Sequence, residues 1–342
     1  MHAGIQAARE ERGWSQQELA RRAGVSRQLV GALESGRHVP NVAAALALAR
    51  TLETTVELLF EAPGAPVPAV GDTPLAGPVA TARVGDRLVA APLPNGLEAG
   101  EHWAVADAVV GEDGLVRWLP GSAVDGFVIA GCDPLLGLLS ALVGRSSPHR
   151  VLTVHASTID AVDALGTGRA HGAVVHGQRA ALPVPPVPVR RWHLARWQVG
   201  LASARPTGPP TIEEIVDRRW RVVQRNPGAS SQQTLERAVG RAGGGRLPGP
   251  IAAGHLDVAR RRLRRGGRAG VTMEAAAIAF GLGFHALEEH TVELWVDERW
   301  ASLPALAALL DVARGRSLRE RAPTLQGYEL GDAGTTVGTG VS

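Results

Sequence analysis

The chain has no lysine, one cysteine and few aromatic residues, and each shortage excludes something. All 36 basic side chains among the 342 residues are arginine. Because arginine stays protonated near neutral pH, the pI of 10.1 accompanies a net charge of only +3, so the pI does not argue for nucleic acid. The single cysteine, Cys132, excludes an intrachain disulfide framework and predicts a reducing, cytoplasmic compartment. An uncharged apolar run of about 18 residues is also missing, so we expect no membrane-spanning helix.

Aromatic residues are 4% of the chain although hydrophobic residues are 45%, so Ala, Val, Leu and Gly must fill the cores. The length of 342 residues predicts two or three folded units. The first residues turn charged at Arg9, Glu10 and Glu11 without a long apolar run, which predicts that they are not a signal peptide.

Residues 15–40 carry two short helical patterns joined by a tight turn. Ser15 is expected to cap the first helix, with Glu18 completing a capping box, and Gly24 to end it in a left-handed conformation. Ser26 is expected to cap the second helix, and Gly36 to end it. The apolar positions of each helix share one face, and Arg27, Gln28 and Ala32 are left free. This is the layout of a helix-turn-helix that reads DNA.

The segment resembles the phage-repressor (Xre/Cro/cI-type) DNA-binding domain over residues 1–62. The resemblance lies in Ser-Gln-Gln-Glu-Leu-Ala, then Gly-Val-Ser, then Leu-Glu-Ser-Gly-Arg and a Pro. It implies a homodimer on a pseudo-palindromic double-stranded operator. It also implies that Arg27 and Gln28 read base edges, that Ala32 contacts a thymine methyl, and that Gln16, Arg37 and Asn41 hold phosphates. The full set of implied DNA-binding residues is Gln16, Gln17, Arg27, Gln28, Ala32, Arg37 and Asn41. The alternative is an ordinary helical hairpin inside a larger core.

The spacing of apolar residues changes along the chain, from a helical pattern at the N-terminal end to alternating strands and helices further on. Five helices at 3–12, 15–22, 26–34, 42–52 and 55–60 are expected to close an all-α domain of residues 1–62, followed by a Pro-rich linker at 63–74. From residue 124 onward, strands alternate with helices, which predicts a parallel sheet covered by helices. We expect this α/β domain to span 75–328 and a disordered tail to follow at 329–342.

Several strand-to-helix junctions carry small polar residues. Open parallel sheets place ligands at the carboxyl ends of their strands, and helix N-termini attract anions. The candidate ligand-binding residues at these junctions are Asp133, Ser157, Thr158, Ser230, Ser231, Thr272 and Glu274. The alternative for each hydroxyl taken alone is a helix cap.

Residues 75–325 resemble the PBP-like, molybdate-binding-related domain that is fused behind Xre-type modules in bacterial regulators. The resembling segments are at 130–139, 164–176, 224–232 and 274–277. The resemblance implies an α/β, two-lobed type 2 periplasmic-binding-protein-like fold that senses molybdate, tungstate or a small anionic metabolite. The chain departs from the family pattern at Ala229 and Ser231, where Ser and Thr are more usual, so ligand identity need not carry over.

No catalytic, metal or cofactor site is predicted. His155, His171 and His176 do not have the spacing of a compact metal motif, and Cys132 has no base at a recognisable spacing, which favours a small buried residue. The expected function is a ligand-responsive transcription regulator without enzymatic activity. Two alternatives stay open: an enzyme with a DNA-binding appendage, and an antitoxin-like protein whose C-terminal domain binds a protein partner.

Overall fold

The chain divides into two compact units, Met1–Gly126 and Phe127–Ser342. The computed structural model describes residues 3–35, 37–60, 66–93, 105–119, 121–204, 209–264, 269–321 and 324–338. Gly36, residues 61–62 of the predicted helical domain, residues 63–65 of the predicted linker and residues 339–342 of the predicted tail lie outside these ranges. Within the described residues, no helix is long and apolar enough to cross a membrane.

Five short helices open the first unit, as the sequence predicted. They are α1 (Ala3–Glu11), α2 (Gln16–Ala23), α3 (Arg27–Glu34), α4 (Val42–Thr51) and α5 (Val56–Phe60). Their core is apolar and fully enclosed, with Ile5, Leu19, Val30, Leu33 and Leu48 at 0% exposure. The helices are too short to be stable alone, so this shared core is what holds them in place.

The helix ends are specified locally. Ser15 Oγ accepts a hydrogen bond from Glu18 N at 3.1 Å, and Ser26 Oγ caps α3 by accepting from Leu29 N at 3.1 Å. Gly24 takes the left-handed conformation, with φ of 65°. The expected capping box is only half formed, because the Glu18 carboxylate pairs with Arg21 and Arg22 instead of the Ser15 backbone.

The first unit also contains a five-stranded sheet, in the order β1-β3-β2-β4-β5. Its strands are β1 (Val67–Pro68), β2 (Gly77–Val84), β3 (Arg87–Pro92), β4 (Ala108–Val110) and β5 (Val116–Trp118). Two predicted boundaries therefore move. Residues 67–68 of the expected linker pair with β3, and the sheet groups with the helical domain instead of opening the α/β domain.

The second unit is a two-lobed α/β domain around one eight-stranded sheet, in the order β11-β10-β12-β9-β13-β8-β6-β7. The first lobe contains β6 (Phe127–Gly131), α6 (Leu135–Ser146), β7 (Val151–His155), α7 (Thr158–Gly166) and β8 (Gly172–Gly177). The second lobe contains α8 (Ile212–Asp217), β10 (Val222–Arg225), α9 (Ser230–Arg241), β11 (Ile251–Ala252), α10 (His255–Arg264), β12 (Ala269–Met273) and α11 (Glu274–Ala279). Two 15-residue strands, β9 (Val189–Ser203) and β13 (Gly283–Asp297), join the lobes. The chain then forms α12 (Pro304–Arg314) and α13 (Arg316–Arg319).

Strand register brings the carboxyl ends of the two lobes together. Gly177, the end of β8, pairs with Thr291 of β13, which in turn pairs with Arg196 of β9. Met273, the end of β12, pairs with Val199 of β9. The two ends are thus three residues apart along β9, or roughly 10 Å at the rise of a strand. Side chains at the carboxyl edges of both lobes consequently face one another across the middle of β9 and β13.

Two features of the second unit differ from expectation. No strand was predicted at 283–297, where Glu288, His290 and Glu293 interrupt the apolar pattern. All three are buried; Arg237 pairs with Glu288 and Arg191 with Glu293, whose Oε1 has no partner among the described residues. The expected disordered tail is ordered over its described part: Glu329 and Thr336 form bridges to β9.

Candidate functional site

Helix α3 presents a polar face to solvent. Val30 and Leu33 are buried, while Arg27 and Gln28 on the opposite face are exposed and make no hydrogen bond to any described residue. Two consecutive free donors at the start of the second helix of this motif occupy the place from which base edges are read.

A buried ion pair fixes α3 against α1 and α2. Arg9 Nε contacts Glu34 Oε1 at 2.6 Å, and Gln16 Nε2 donates to Glu34 Oε2 at 2.8 Å. Burial raises the pKa of Glu34, but the hydrogen bonds from Arg9 and Gln16 and the charge of Arg9 outweigh burial and lower it. Glu34 therefore stays ionised and anchors the end of α3.

The predicted DNA-binding residues fall into two groups. A concave surface of about 500 Å³ is lined by Gln16, Arg27, Gln28, Gly31, Ala32 and Arg37. Gln17 is exposed on α2, and Asn41 caps α4 by accepting from Ala44 N at 2.8 Å. The structure thus gathers five predicted residues at one surface and gives Asn41 a capping role, with its amide N–H groups left for a phosphate.

In the second unit, the predicted ligand-binding hydroxyls meet where the lobes face each other. Ser230 Oγ at the start of α9 donates to Thr158 Oγ1 at the start of α7, over 3.2 Å. Ser157 caps α7 and hydrogen-bonds to Asp160. The predicted crevice is therefore closed in this structure, because its lining side chains contact one another directly.

Asp133, which was predicted to bind ligand, has a structural role instead. Its carboxylate accepts from Trp197 Nε1 at 2.9 Å, from Tyr328 OH at 2.7 Å and from Leu135 N at 2.8 Å. Both oxygens are engaged, so Asp133 fastens β9 and the chain end to the start of α6 and has little capacity left for a ligand.

Two further predicted ligand-binding residues, Thr272 and Glu274, lie away from the contact between Thr158 and Ser230. Thr272 is buried and its hydroxyl donates to the backbone oxygen of His255 at 3.0 Å, which ties β12 to the start of α10. Glu274 is half-buried at the start of α11. Neither lies among the residues that join Thr158 and Ser230.

Three buried polar side chains near the lobe boundary have atoms without a hydrogen-bond partner among the residues that the structure describes. They are Arg225 (Nε and Nη1), Ser231 (Oγ) and His255 (Nε2), at 2%, 0% and 1% exposure. Arg225 ends β10, and Ser231 and His255 lie in the first turns of α9 and α10. Burial lowers the pKa of Arg225, and the nearby Cys132 opposes that effect. Such groups are costly unless something pairs with them, so they form a candidate ligand site, of which only Ser231 was predicted from the sequence.

The sequence spacing predicted no base beside Cys132, but the structure places one in contact with it. His176, 44 residues further along the chain, brings Nε2 to 3.1 Å from its Sγ. Burial raises the pKa of the thiol to about 11, and Arg225 opposes this rise. The pairing of β6 with β8 makes this contact, and spacing along the sequence does not reveal that pairing. The one sequence signal was that Cys132 and His176 each lie at the end of a buried apolar strand.

A groove of about 690 Å³ lies within the second lobe. It is bordered by β10, α9 and residues 244–251, and Arg225 and Gln232 contribute to its wall. Arg225 therefore contributes to the wall of this groove and also lies beside Cys132.

Comparison with known proteins agrees with this architecture. Residues 139–314, more than half of the chain, match the profile of the PBP superfamily domain. The chain belongs to the PBP superfamily. Residues 5–59 match the helix-turn-helix profile, so this PBP superfamily member carries a helix-turn-helix domain at its N-terminal side. No curated protein is similar enough in sequence to count as a relative.

Solved structures similar to the chain include carriers and regulators. A Clostridium perfringens protein described as a phosphate ABC transporter substrate-binding protein, with bound phosphate, is 10% identical over 59% of this chain and 98% of its own, with a TM-score of 0.47. The regulatory domain of a LysR family regulator from N. meningitidis is 14% identical over 60% of this chain and 97% of its own, with a TM-score of 0.44. At these identities and TM-scores, neither indicates the ligand of this chain.

Proposed function

We propose that the chain is a ligand-responsive transcription regulator. Its helix-turn-helix domain binds operator DNA in the major groove, and its PBP-like domain binds a small oxyanion such as molybdate or tungstate, or a small anionic metabolite. The observation that carries the proposal is the set of buried donors on Arg225 and Ser231 without partners, in a chain that also exposes free donors on α3.

The DNA contacts follow from the exposed face of α3. Arginine donates two hydrogen bonds to guanine, and glutamine pairs with the edge of adenine, so Arg27 and Gln28 read bases. Ala32 contacts a thymine methyl, and Arg37 and Asn41 hold phosphates. Because a single domain of this size covers one half-site, the protein binds as a homodimer on a pseudo-palindrome.

The anion contacts follow from the start of α9. Ser231 Oγ and the free N–H groups of Arg225 supply donors, and the helix N-terminus adds partial positive charge. A tetrahedral oxyanion offers several acceptors to such a set. Thr158 and Ser230 bond to each other in the closed structure, so they either stay as a clasp between the lobes or turn toward the anion when it binds.

We propose binding without turnover. The pair of Cys132 and His176 has the contact distance of a nucleophile and its base, but the thiol is 6% exposed and its pKa is raised by burial to about 11. A protonated, enclosed thiol is a poor nucleophile. This favours a sensor over the enzyme with a DNA-binding appendage.

Selection from a random pool of DNA duplexes with the full chain tests the proposed function. We expect enrichment of a pseudo-palindrome with half-sites separated by about one helical turn, roughly 34 Å. Arg27→Ala should relax the preference at one position in each half-site, whereas the control Arg50→Ala, which changes an exposed arginine on α4, should keep it. Failure to enrich any sequence, with or without oxyanions, would overturn the proposal.

A further inference from the structure

Three side chains that coordinate transition metals converge at the lobe boundary. Cys132 follows β6, His176 lies in β8 and His255 begins α10. The sulfur of Cys132 and one ring nitrogen from each histidine all lie within 4.8 Å of one another, and all three residues are buried. Cys132 and His176 are 44 residues apart in the sequence, and His176 and His255 are 79 apart, so the cluster does not form a recognisable sequence motif.

A chain of hydrogen bonds orients His176 toward Cys132. Arg237 pairs with Glu288 at 2.7 Å, Glu288 contacts His290 Nε2 at 3.2 Å, and His290 Nδ1 lies 3.1 Å from His176 Nδ1. Burial raises the pKa of Glu288, but its hydrogen bonds to His290 and Arg237 outweigh burial and bring it to about 2. The ionised carboxylate can only accept, so His290 Nε2 is the donor in that contact.

This pattern leaves a lone pair on His176 Nε2, the atom 3.1 Å from Cys132 Sγ. In the arrangement where His176 Nδ1 donates to His290 Nδ1, Nε2 is the unprotonated nitrogen. Metal-bound histidines are held in the same way, with the second ring nitrogen donating to a fixed acceptor. The hydrogen-bond chain through Glu288 thus fixes the orientation of the His176 ring, as hydrogen-bond partners of metal-bound histidines do.

His255 is prepared similarly. The Thr272 hydroxyl donates to His255 O at 3.0 Å, which leaves its oxygen to accept from His255 Nδ1 at 3.4 Å. The other nitrogen, Nε2, is buried and has no partner among the described residues.

We propose that Cys132 Sγ, His176 Nε2 and a ring nitrogen of His255 bind one zinc-type divalent metal ion, with a fourth position open. Tetrahedral zinc with bonds of about 2.0–2.3 Å places its ligand atoms roughly 3.3–3.6 Å apart. The present separations, from 3.1 Å to at most 4.8 Å, bracket that range. Binding forms the metal–sulfur bond and releases the thiol proton to solvent.

Arg225 affects this site in two ways. Its guanidinium opposes the rise that burial causes in the pKa of Cys132, which favours the thiolate, but its charge repels a cation. The open fourth position accepts an anion, which would offset the repulsion. The metal proposal requires neither DNA binding nor the oxyanion of the proposed function, so its failure would leave those proposals standing.

Cobalt titration of the untagged, chelator-treated full chain tests the proposal. One equivalent of Co²⁺ should produce a thiolate-to-cobalt charge-transfer band in the near ultraviolet and visible d–d bands of tetrahedral intensity, and Zn²⁺ should remove both. Because Cys132 is the only cysteine, the band in the wild-type chain assigns the sulfur ligand without any variant. Cobalt binding without a charge-transfer band, or no binding at all, would overturn the proposal.

Variants then assign the nitrogens. His255→Gln should weaken Co²⁺ binding at least tenfold while keeping the thiolate band, and Glu288→Gln, which alters the orienting chain, should weaken it about tenfold. The matched control His285→Gln changes a half-buried histidine of β13 outside the cluster and should leave affinity unchanged. Equal affinity in His255→Gln and His285→Gln would contradict the assignment of His255.

Discussion

Both units carry polar groups without partners, but the surroundings of those groups differ. Arg27 and Gln28 on α3 are exposed, so water satisfies them in the free protein. Arg225, Ser231 and His255 are buried and have atoms without a partner among the described residues. An unpaired group in water costs no stability, whereas a buried unpaired group costs about 1–3 kcal/mol, and more if charged. The unpaired groups of the first unit therefore cost it no stability, whereas those of the second unit lower its stability unless a ligand pairs with them.

The largest expected effect comes from a buried group that is paired. Glu34→Ala removes the buried carboxylate that pairs with Arg9 and leaves Arg9 only Glu10 and the Trp14 backbone oxygen, so the loss should approach the ~3–5 kcal/mol of a broken buried ion pair. Denaturant unfolding followed by circular dichroism measures the loss. The control Glu18→Ala breaks exposed pairs and should cost clearly less. Similar losses for the two variants would mean that burial does not set the cost.

A buried group that is satisfied only when neutral should make stability depend on pH. His171 Nδ1 accepts from Val128 N, and burial lowers its pKa to about 4 from the ordinary 6.5. The unfolded chain therefore binds the proton first, so stability is complete above about pH 6.5 and falls by about 3 kcal/mol as pH drops to 4. His171→Asn keeps an acceptor but does not titrate, and unfolding measured across this range should show a shallower slope. An unchanged slope would count against this cause.

Removing a buried, unpaired group should stabilise the ligand-free protein. Arg225→Met removes a buried charge whose Nε and Nη1 have no partner among the described residues, although it also removes a contact with Cys132, so we expect a gain of about 1–3 kcal/mol in unfolding free energy. The comparison variant Arg237→Met removes an arginine that is paired with Glu288, so it should destabilise. A loss of stability in Arg225→Met would show that the guanidinium already has a favourable environment.

The smallest effect on stability belongs to the exposed, unpaired group. Arg27→Ala should change the unfolding free energy by less than about 0.5 kcal/mol, yet weaken specific DNA binding by about 1–3 kcal/mol. Fluorescence anisotropy with the selected operator and with scrambled DNA separates the two losses. Equal weakening on both DNAs would assign Arg27 to the phosphates instead of the bases.

The two units also differ in how far their sequences predict them. The helix-turn-helix is specified by local signals, and Ser15, Gly24 and Ser26 act as predicted. The strand-to-helix junctions of the α/β domain were found for the same reason. Strand β13 was missed because its buried Glu288 and Glu293 look like surface residues until Arg237 and Arg191 are seen beside them.

The buried cluster was missed for a related reason. Cys132, His176 and His255 meet only because β9 and β13 bring the carboxyl ends of the two lobes together. The spacing of these three residues along the sequence indicates neither a metal site nor a base beside Cys132, because their contacts follow from sheet register. Ser230 and Thr158, by contrast, were predicted because each begins a helix after a strand, and the structure brings them into contact.

Thermal unfolding of the full chain with molybdate, tungstate, sulfate and phosphate tests the central claim that the buried donors await an anion. At about 100 times its dissociation constant, a bound oxyanion should add about 2.7 kcal/mol of stability to the wild-type chain. The same oxyanion should add none to Arg225→Met. Stabilisation of both proteins to the same extent, or of neither by any of the four, would contradict the account.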